Sequence, residues 1–298
     1  MRYIASGEFR RSGIVLQCLA GAMPAGELKS ISCIQSASMF HIRSLSSKPE
    51  EAIEEIGQCV KIQEEVGYEG QIVPSHLFRA ESIGLVEPSI DLGYALLAYE
   101  GPRIRAYARV VHTRDRELHW LHQIVVSPAL QSQGLGFELM KAVKAKSLEM
   151  GAEMLCFTYD PFEGRNGNLY LRKCGAKGVR VLEDFYGPMG TAVHGNRRSH
   201  RLLMRWELMG EKDNWAADQV PLTSGLPISW DQDLLALEIP WQVGRLSGEE
   251  AARWQEGSIP VLVEAVNRRG FQVASLLNRP EEKRNYLILR RKEAIGRE

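Results

Sequence analysis

The chain has 298 residues, 44% hydrophobic and 25% charged, enough apolar material for a sizeable core and a length typical of about two folding units. Lys+Arg and Asp+Glu balance at 37 each, which argues against nucleic-acid and membrane-surface partners, since both select a basic excess. No apolar run approaches the roughly 18 residues of a membrane span, so a cytoplasmic protein is expected.

In chain order, residues 1–38 come first. "FRRSGIVLQCLAGAMPAG" imitates a signal peptide weakly, but Gln17 interrupts its apolar run and Glu8 and Glu27 flank it. A disordered leader or a misassigned start is the expectation there. From Met39 the pattern is that of a folded domain. Phe40 to Ser46 alternates as a strand. Pro49 opens a helical pattern whose face is expected to hold Ile53, Ile56, Val60 and Gln63. Pro74 to Leu85 predicts a second, weaker helix. "GYALLAYEG" and "RIRAYARVVH", separated by Gly-Pro, predict a hairpin, and "ELHWLHQIVV" a third strand ending at Pro128. After Gly134 the period becomes helical until Gly151. "EMLCFTYD" is then a strand buried on both faces, followed by a short helix in "NGNLYLRKCG" and strands near "KGVRVLEDFYG" and "HRLLMRWEL". Residues 209–230 turn polar and are expected to link the 39–208 domain to a 231–298 β-α-β-β extension, which would either extend the sheet or wall a binding site. The extension's helix begins at Ser247 with Glu250 as a capping box, and Pro260 is expected to kink or divide it.

The five cysteines (Cys18, Cys33, Cys59, Cys156, Cys174) form no CxxC, and the seven histidines no HExxH. Reduced thiols and no metal are expected.

The junction "VVSPALQSQGLGFELM" is the most informative stretch. It lacks the Gly-Lys-Ser/Thr of a nucleotide P-loop, and Leu139 stands where a dinucleotide fingerprint needs a small residue. What remains is a short loop of inward-pointing N–H groups closed by a helix N-terminus, an anion site suited to a pyrophosphate, or else a tight turn holding nothing. Glycines at 134 and 136 would permit close approach.

Gln131, Gly134 and Gly136, preceded by Val126-Ser127-Pro128, fill the signature Arg/Gln-x-x-Gly-x-Gly/Ala after "V-x-P", and the chain thereby resembles the Gcn5-related N-acetyltransferase (GNAT) superfamily. "RNGNLYLRKCGA" resembles that superfamily's Asn…Tyr…Gly helix. "FTYDPFEGRNGNLYLRKCGA", "FYGPM", "SHRLLMRWEL" and the tail "EIPW…GF" are similar to a bacterial branch of such proteins with a C-terminal extension. The resemblance spans residues 40 to 291. It implies an α/β fold with a splayed mixed sheet and helices on both faces, and an acetyl-CoA or other acyl-CoA co-substrate. The turn Gln131, Ser132, Gln133, Gly134, Leu135 and Gly136 would hold its pyrophosphate, with Asn166 nearby. Backbone groups of Val125 or Val126 would face the thioester.

An N-acyltransferase acting on a small amine, such as an amino acid, is the activity this implies, with acetyl or succinyl as the acyl group. A CoA- or metabolite-binding sensor without catalysis is the alternative, and a homodimer is left open. N-acyl transfer needs a base, because a free amine titrates near ~10. Strand alternation would put His122 on one face with Ile124 and Val126, making it the candidate base, with His119 at the surface. The superfamily's acid tyrosine lies four residues before the helix-ending glycine. Here that position is Leu171 and Tyr170 is one residue off, about 100° around a helix. Tyr170 is the candidate acid only if the helix adjusts. Asp160 and Arg165 are candidate substrate contacts, Glu163 an alternative base, and "GNRRSHR" (195–201) either an anion site or a solvated loop. That branch has aspartate where this chain has His200.

Overall fold

The apolar runs flanking Gly101-Pro102 fold back on each other as β2 (Gly93–Glu100) and β3 (Arg103–His112), with β1 (His41–Ser44) and β4 (Leu118–Val126) antiparallel on either side. These assignments come from a computed structural model that describes residues 40–68, 70–190, 197–210 and 230–292. The expected leader, Cys18, Cys33, Gly195, Asn196 and most of the expected linker lie outside those residues. β5 (Met154–Tyr159) runs parallel to β4, so the chain must cross over between them, which it does through α3 (Leu135–Glu149). β6 (Lys177–Leu182), β7 (Arg201–Glu207), β8 (Leu234–Ile239), β9 (Phe271–Arg279) and β10 (Arg284–Arg291) complete one ten-stranded mixed sheet, ordered β1-β2-β3-β4-β5-β7-β6-β9-β10-β8.

Helices cover both faces. α1 (Pro49–Val66) starts on Pro49, whose missing N–H costs nothing in the first turn, and stops at Gly67, held left-handed at φ 91°. With α2 (Ser75–Glu81) it buries Ala52, Ile56, Cys59, Ile62 and Phe78 against Leu97, Tyr107 and Val125 of the sheet. Ile56 and Gln63 of the expected face are buried, but Ile53 is 70% exposed, and the buried face instead takes in Glu55, which pairs with Arg43 and accepts from the Ser46 N–H. On the other face α3, the α4 turn (Gly164–Gly167), the π-helical turn Asn168–Cys174 and α5 (Gly248–Leu262) share one apolar core with β2–β10. The capping box at Ser247 and Glu250 forms. α5 does not break at Pro260; it runs on to Leu262 and widens into a π turn over Val263–Arg268.

His119 is not at the surface. Only 2% exposed, it lies on the α3 face, its Nδ1 3.1 Å from Ser147 Oγ and its ring stacked 4.3 Å from His112. None of the described helices is long and apolar enough to cross a membrane.

Candidate active site

β4 and β5 pair only from Leu118–Trp120 to Met154–Cys156, although β4 continues to Val126 and β5 to Tyr159. The strands part beyond Trp120 and leave a cleft of about 400 Å³ that passes through the sheet. Gly136, Phe137 and Leu169 line it on the α3 face. Val66, Tyr68 and His122 line it on the α1 face. The Ser127 N–H bonds Arg105 of β3, so alternation turns the N–H of Val126 away from β3 and into the split, while Val125 faces β3. Of the two expected backbone contacts, Val126 is the one that meets the cleft edge. Its carbonyl accepts from Gln131 Nε2 at 3.0 Å.

The loop after β4 carries the anion-site geometry. Ser132 (φ 64°) and Gly134 (φ 92°) are both left-handed, and Gly134 is the N-cap of α3 with no side-chain cap. Among the described residues, no acceptor meets the N–H groups of residues 132–136. Gln131, Ser132, Gly134 and Gly136 line the cleft. Gln133 instead bonds the Ala129 carbonyl at 2.7 Å, and the Leu135 side chain is core. A Cβ on Gly136 would lie 3.7 Å from Val126 and 3.6 Å from Leu169, ordinary contacts. The protein itself therefore tolerates a methyl group there, and only something occupying the cleft would not.

β4 carries a bulge. Gln123 pairs Arg109 and Leu121 pairs Val110, so His122 has no partner. The extra residue breaks the alternation expected from the sequence: His122 does not share a face with Ile124 and Val126 but turns toward α2. There its Nδ1 lies 3.5 Å from Glu81 Oε1. Glu81 also pairs with Arg109, which is buried, lies 4.3 Å over the Phe78 ring and shares Gln123 Oε1 with the Tyr107 hydroxyl. Burial alone would raise the Glu81 carboxyl, but His122 and Arg109 together hold it below its ordinary value. A partly exposed imidazole is thus oriented by a half-buried, ionised carboxylate, the arrangement that generates a positioned base. Glu81 and Arg109 were not picked out from the sequence. The signal available was a lone arginine inside the apolar strand "AYARVVH", which needs a buried counter-charge.

Residues 67–176 match the family model described as Acetyltransferase (GNAT) family. Over these residues the chain is similar to the GNAT acetyltransferases. Solved structures similar to the chain include the ribosomal-protein-S18-alanine N-acetyltransferase from Escherichia coli, 15% identical over 59% of this chain and 98% of that one, TM-score 0.44. A GNAT-family acetyltransferase from Streptococcus pneumoniae is 19% identical over 56% and 97%, TM-score 0.44. The yncA protein from Salmonella typhimurium with its cofactor acetyl-CoA is 17% identical over 60% and 99%, TM-score 0.43. No curated protein matches the sequence.

The matched stretch ends just beyond the π turn that contains Tyr170. The Gly175 N–H bonds the Tyr170 carbonyl, an i→i+5 bond in place of i→i+4. One extra residue is thereby accommodated within a single turn, and Tyr170 lines the cleft despite standing five residues before Gly175. Its ring packs 4.6 Å from Phe157 and 5.6 Å from Tyr159. Burial, then neighbouring Tyr68 and Cys174, pushes its hydroxyl well above the ordinary tyrosine range, so it stays protonated. Arg165 and Asn166 line the cleft, and Arg165 bonds Gln131 Oε1 at 2.6 Å across its mouth. Asp160 does not line it: the carboxylate is buried, accepts from Phe162 N at 3.0 Å and lies 3.6 Å from Arg197. Glu163 does line it, its carboxyl raised by burial and by Asp160 against the pull of Arg197. Among the described residues, no three His, Cys, Asp or Glu side chains group as metal ligands.

Proposed function

We propose that the protein is an acyl-CoA-dependent N-acyltransferase acting on the amine of a small molecule. The observation that carries this reading is the cleft through the sheet, with unbonded loop N–H groups on its α3 face and the His122–Glu81 pair on its α1 face. The cleft suits a CoA ester. The N–H groups of residues 132–136 and the α3 N-terminus offer a pyrophosphate its donors, and Gly136 leaves the space beside Val126 and Leu169 open. The ester supplies an activated acyl carbon.

The chain's own residues then divide the work. The Val126 N–H, pointing into the split, is placed to bond the carbonyl oxygen as it gains charge. His122, with Nδ1 turned to Glu81, has Nε2 available to take the proton lost by the amine. The amine nitrogen adds to the acyl carbon, the C–S bond then breaks as the sulfur takes the Tyr170 proton, and the proton gained by His122 is released to solvent while Tyr170 is reprotonated. One amide and one thiol result.

Thermal shifts with CoA, acetyl-CoA, succinyl-CoA and NAD test the reading. A ligand present at about a hundred times its Kd adds about 2.7 kcal/mol, a rise of several degrees. A rise with CoA species alone, and thiol release on adding pooled amines, is expected. Absence of any CoA-dependent rise overturns the reading.

A further inference from the structure

Arg201, the first residue of β7, is 5% exposed and lines the cleft. Its donors go to a main-chain carbonyl, His200 O at 2.8 Å, and to the thioether of Met189 at 2.9 Å, while the guanidinium lies 5.2 Å from the Tyr186 ring centroid. None of these is an anion. The buried Asp160 carboxylate favours the Arg201 charge without bonding it: its own contacts are with Arg197 and the Phe162 N–H. A guanidinium keeps its charge in proteins and has five N–H donors, so a buried one whose bonded partners are all neutral has donor capacity for an incoming anion.

The sheet decides which anion. Leu202, Met204 and Trp206 of β7 belong to the core on the α3 face, so alternation turns Arg201 to the α1 face, the face of His122 and Tyr68. The loop 132–136 leads into α3 on the opposite face. A phosphate held by that loop lies against the α3 side of the cleft, whereas a group entering beside His122 and Tyr68 comes in on the side to which Arg201 is turned.

We propose that Arg201 receives a carboxylate of the reacting partners, so that the enzyme acts on a carboxylate-bearing amine such as an amino acid, or transfers an acyl chain that ends in a carboxylate. This rests on the acyl-transfer reading. Planar, forked donors suit a carboxylate, and a lysine would not reproduce them.

The test measures kcat/KM by thiol release in two arms. In one, acetyl-CoA is supplied with amino acids and with the amines formed by removing their carboxylates. In the other, acetyl-CoA and succinyl-CoA are compared on the same amines. A preference for the carboxylate-bearing partner of about 100-fold is expected in one arm, identifying its source. R201Q is expected to abolish that preference and R201K to restore only part of it, while both retain CoA binding within about 2-fold, showing that they fold. Equal rates in both arms, no turnover of any carboxylate-bearing partner, or a preference that survives R201Q overturns the assignment. Absence of CoA binding by the unaltered protein instead removes the acyl-transfer reading beneath it.

Discussion

His122 owes its position to neighbours far away in sequence. The bulge turns the imidazole toward α2, Glu81 faces it, and Arg109 keeps Glu81 ionised. Replacing His122 with alanine is expected to lower kcat by about 10²–10⁴-fold, the usual range for a lost base, with the Kd for CoA unchanged. An unchanged kcat would remove it from that role. Glu81→Gln leaves the buried Arg109 charge without a counter-ion, so a loss of about 3–5 kcal/mol is expected, near 10 °C in a melting scan. The two loop glycines separate on other grounds. Gly134 needs its left-handed φ, so Gly134→Ala is expected to cost about 1–2 kcal/mol of stability. Gly136→Ala is expected to melt normally yet bind CoA at least about tenfold more weakly by titration calorimetry, because its methyl group occupies ligand space. The residue type of His122 and the loop glycines were legible because their chemistry is local. Glu81 was not: it ends a seven-residue helix with nothing in its own surroundings to distinguish it.

At the scale of elements, period and punctuation explain what could be read and what could not. The hairpin at Gly101-Pro102, the helix from Pro49 to Gly67 and the capping box at Ser247 all announce themselves through fixed backbone preferences. Single-residue irregularities do not. The β4 bulge and the Asn168–Cys174 π turn each insert one residue, and each reassigns a side chain that regular alternation or a regular helix would place elsewhere. Removing Arg172, which is exposed in that turn, is expected to restore i→i+4 bonding from Tyr170 to the glycine with thiol-release activity kept within about tenfold. Tyr170→Phe, which keeps the packing, is expected to lower kcat more than KM. The pairing of β3, β4 and α3 also buries His119. Burial, then His112, pushes its pKa down to about 4. Between pH ~6.5 and 4 the unfolded chain binds a proton that the folded chain refuses. Stability is therefore complete above that window and falls through it by up to about 3 kcal/mol. Melting scans at pH 7 and 4.5 are expected to show this loss, and His119→Gln to reduce it.

At the scale of the whole molecule, the C-terminal elements are not an appendage. Leu235, Ile259, Leu262, Phe271 and Leu287 lie in the same apolar core as Leu139 and Phe157. A chain ended at residue 208 exposes the partners of these side chains, and is expected to aggregate or to lose its cooperative melting transition. Composition foretold a large core, and of the two places expected for the extension its strands take the first, continuing the same sheet; which strand they would join was not legible, because pairing across such a distance leaves no local trace.

Under the proposed reaction, a cleft lined from both faces of the sheet also bears on the order of events during turnover. In the proposed reaction a donor held by the loop 132–136 would leave the side lined by His122 and Tyr68 to the acceptor, so that both would be bound together and no covalent relay on the enzyme would be needed. Double-reciprocal plots at several fixed donor concentrations are then expected to intersect rather than run parallel. Free CoA would compete with the donor but not with the amine, since the two enter by different doors.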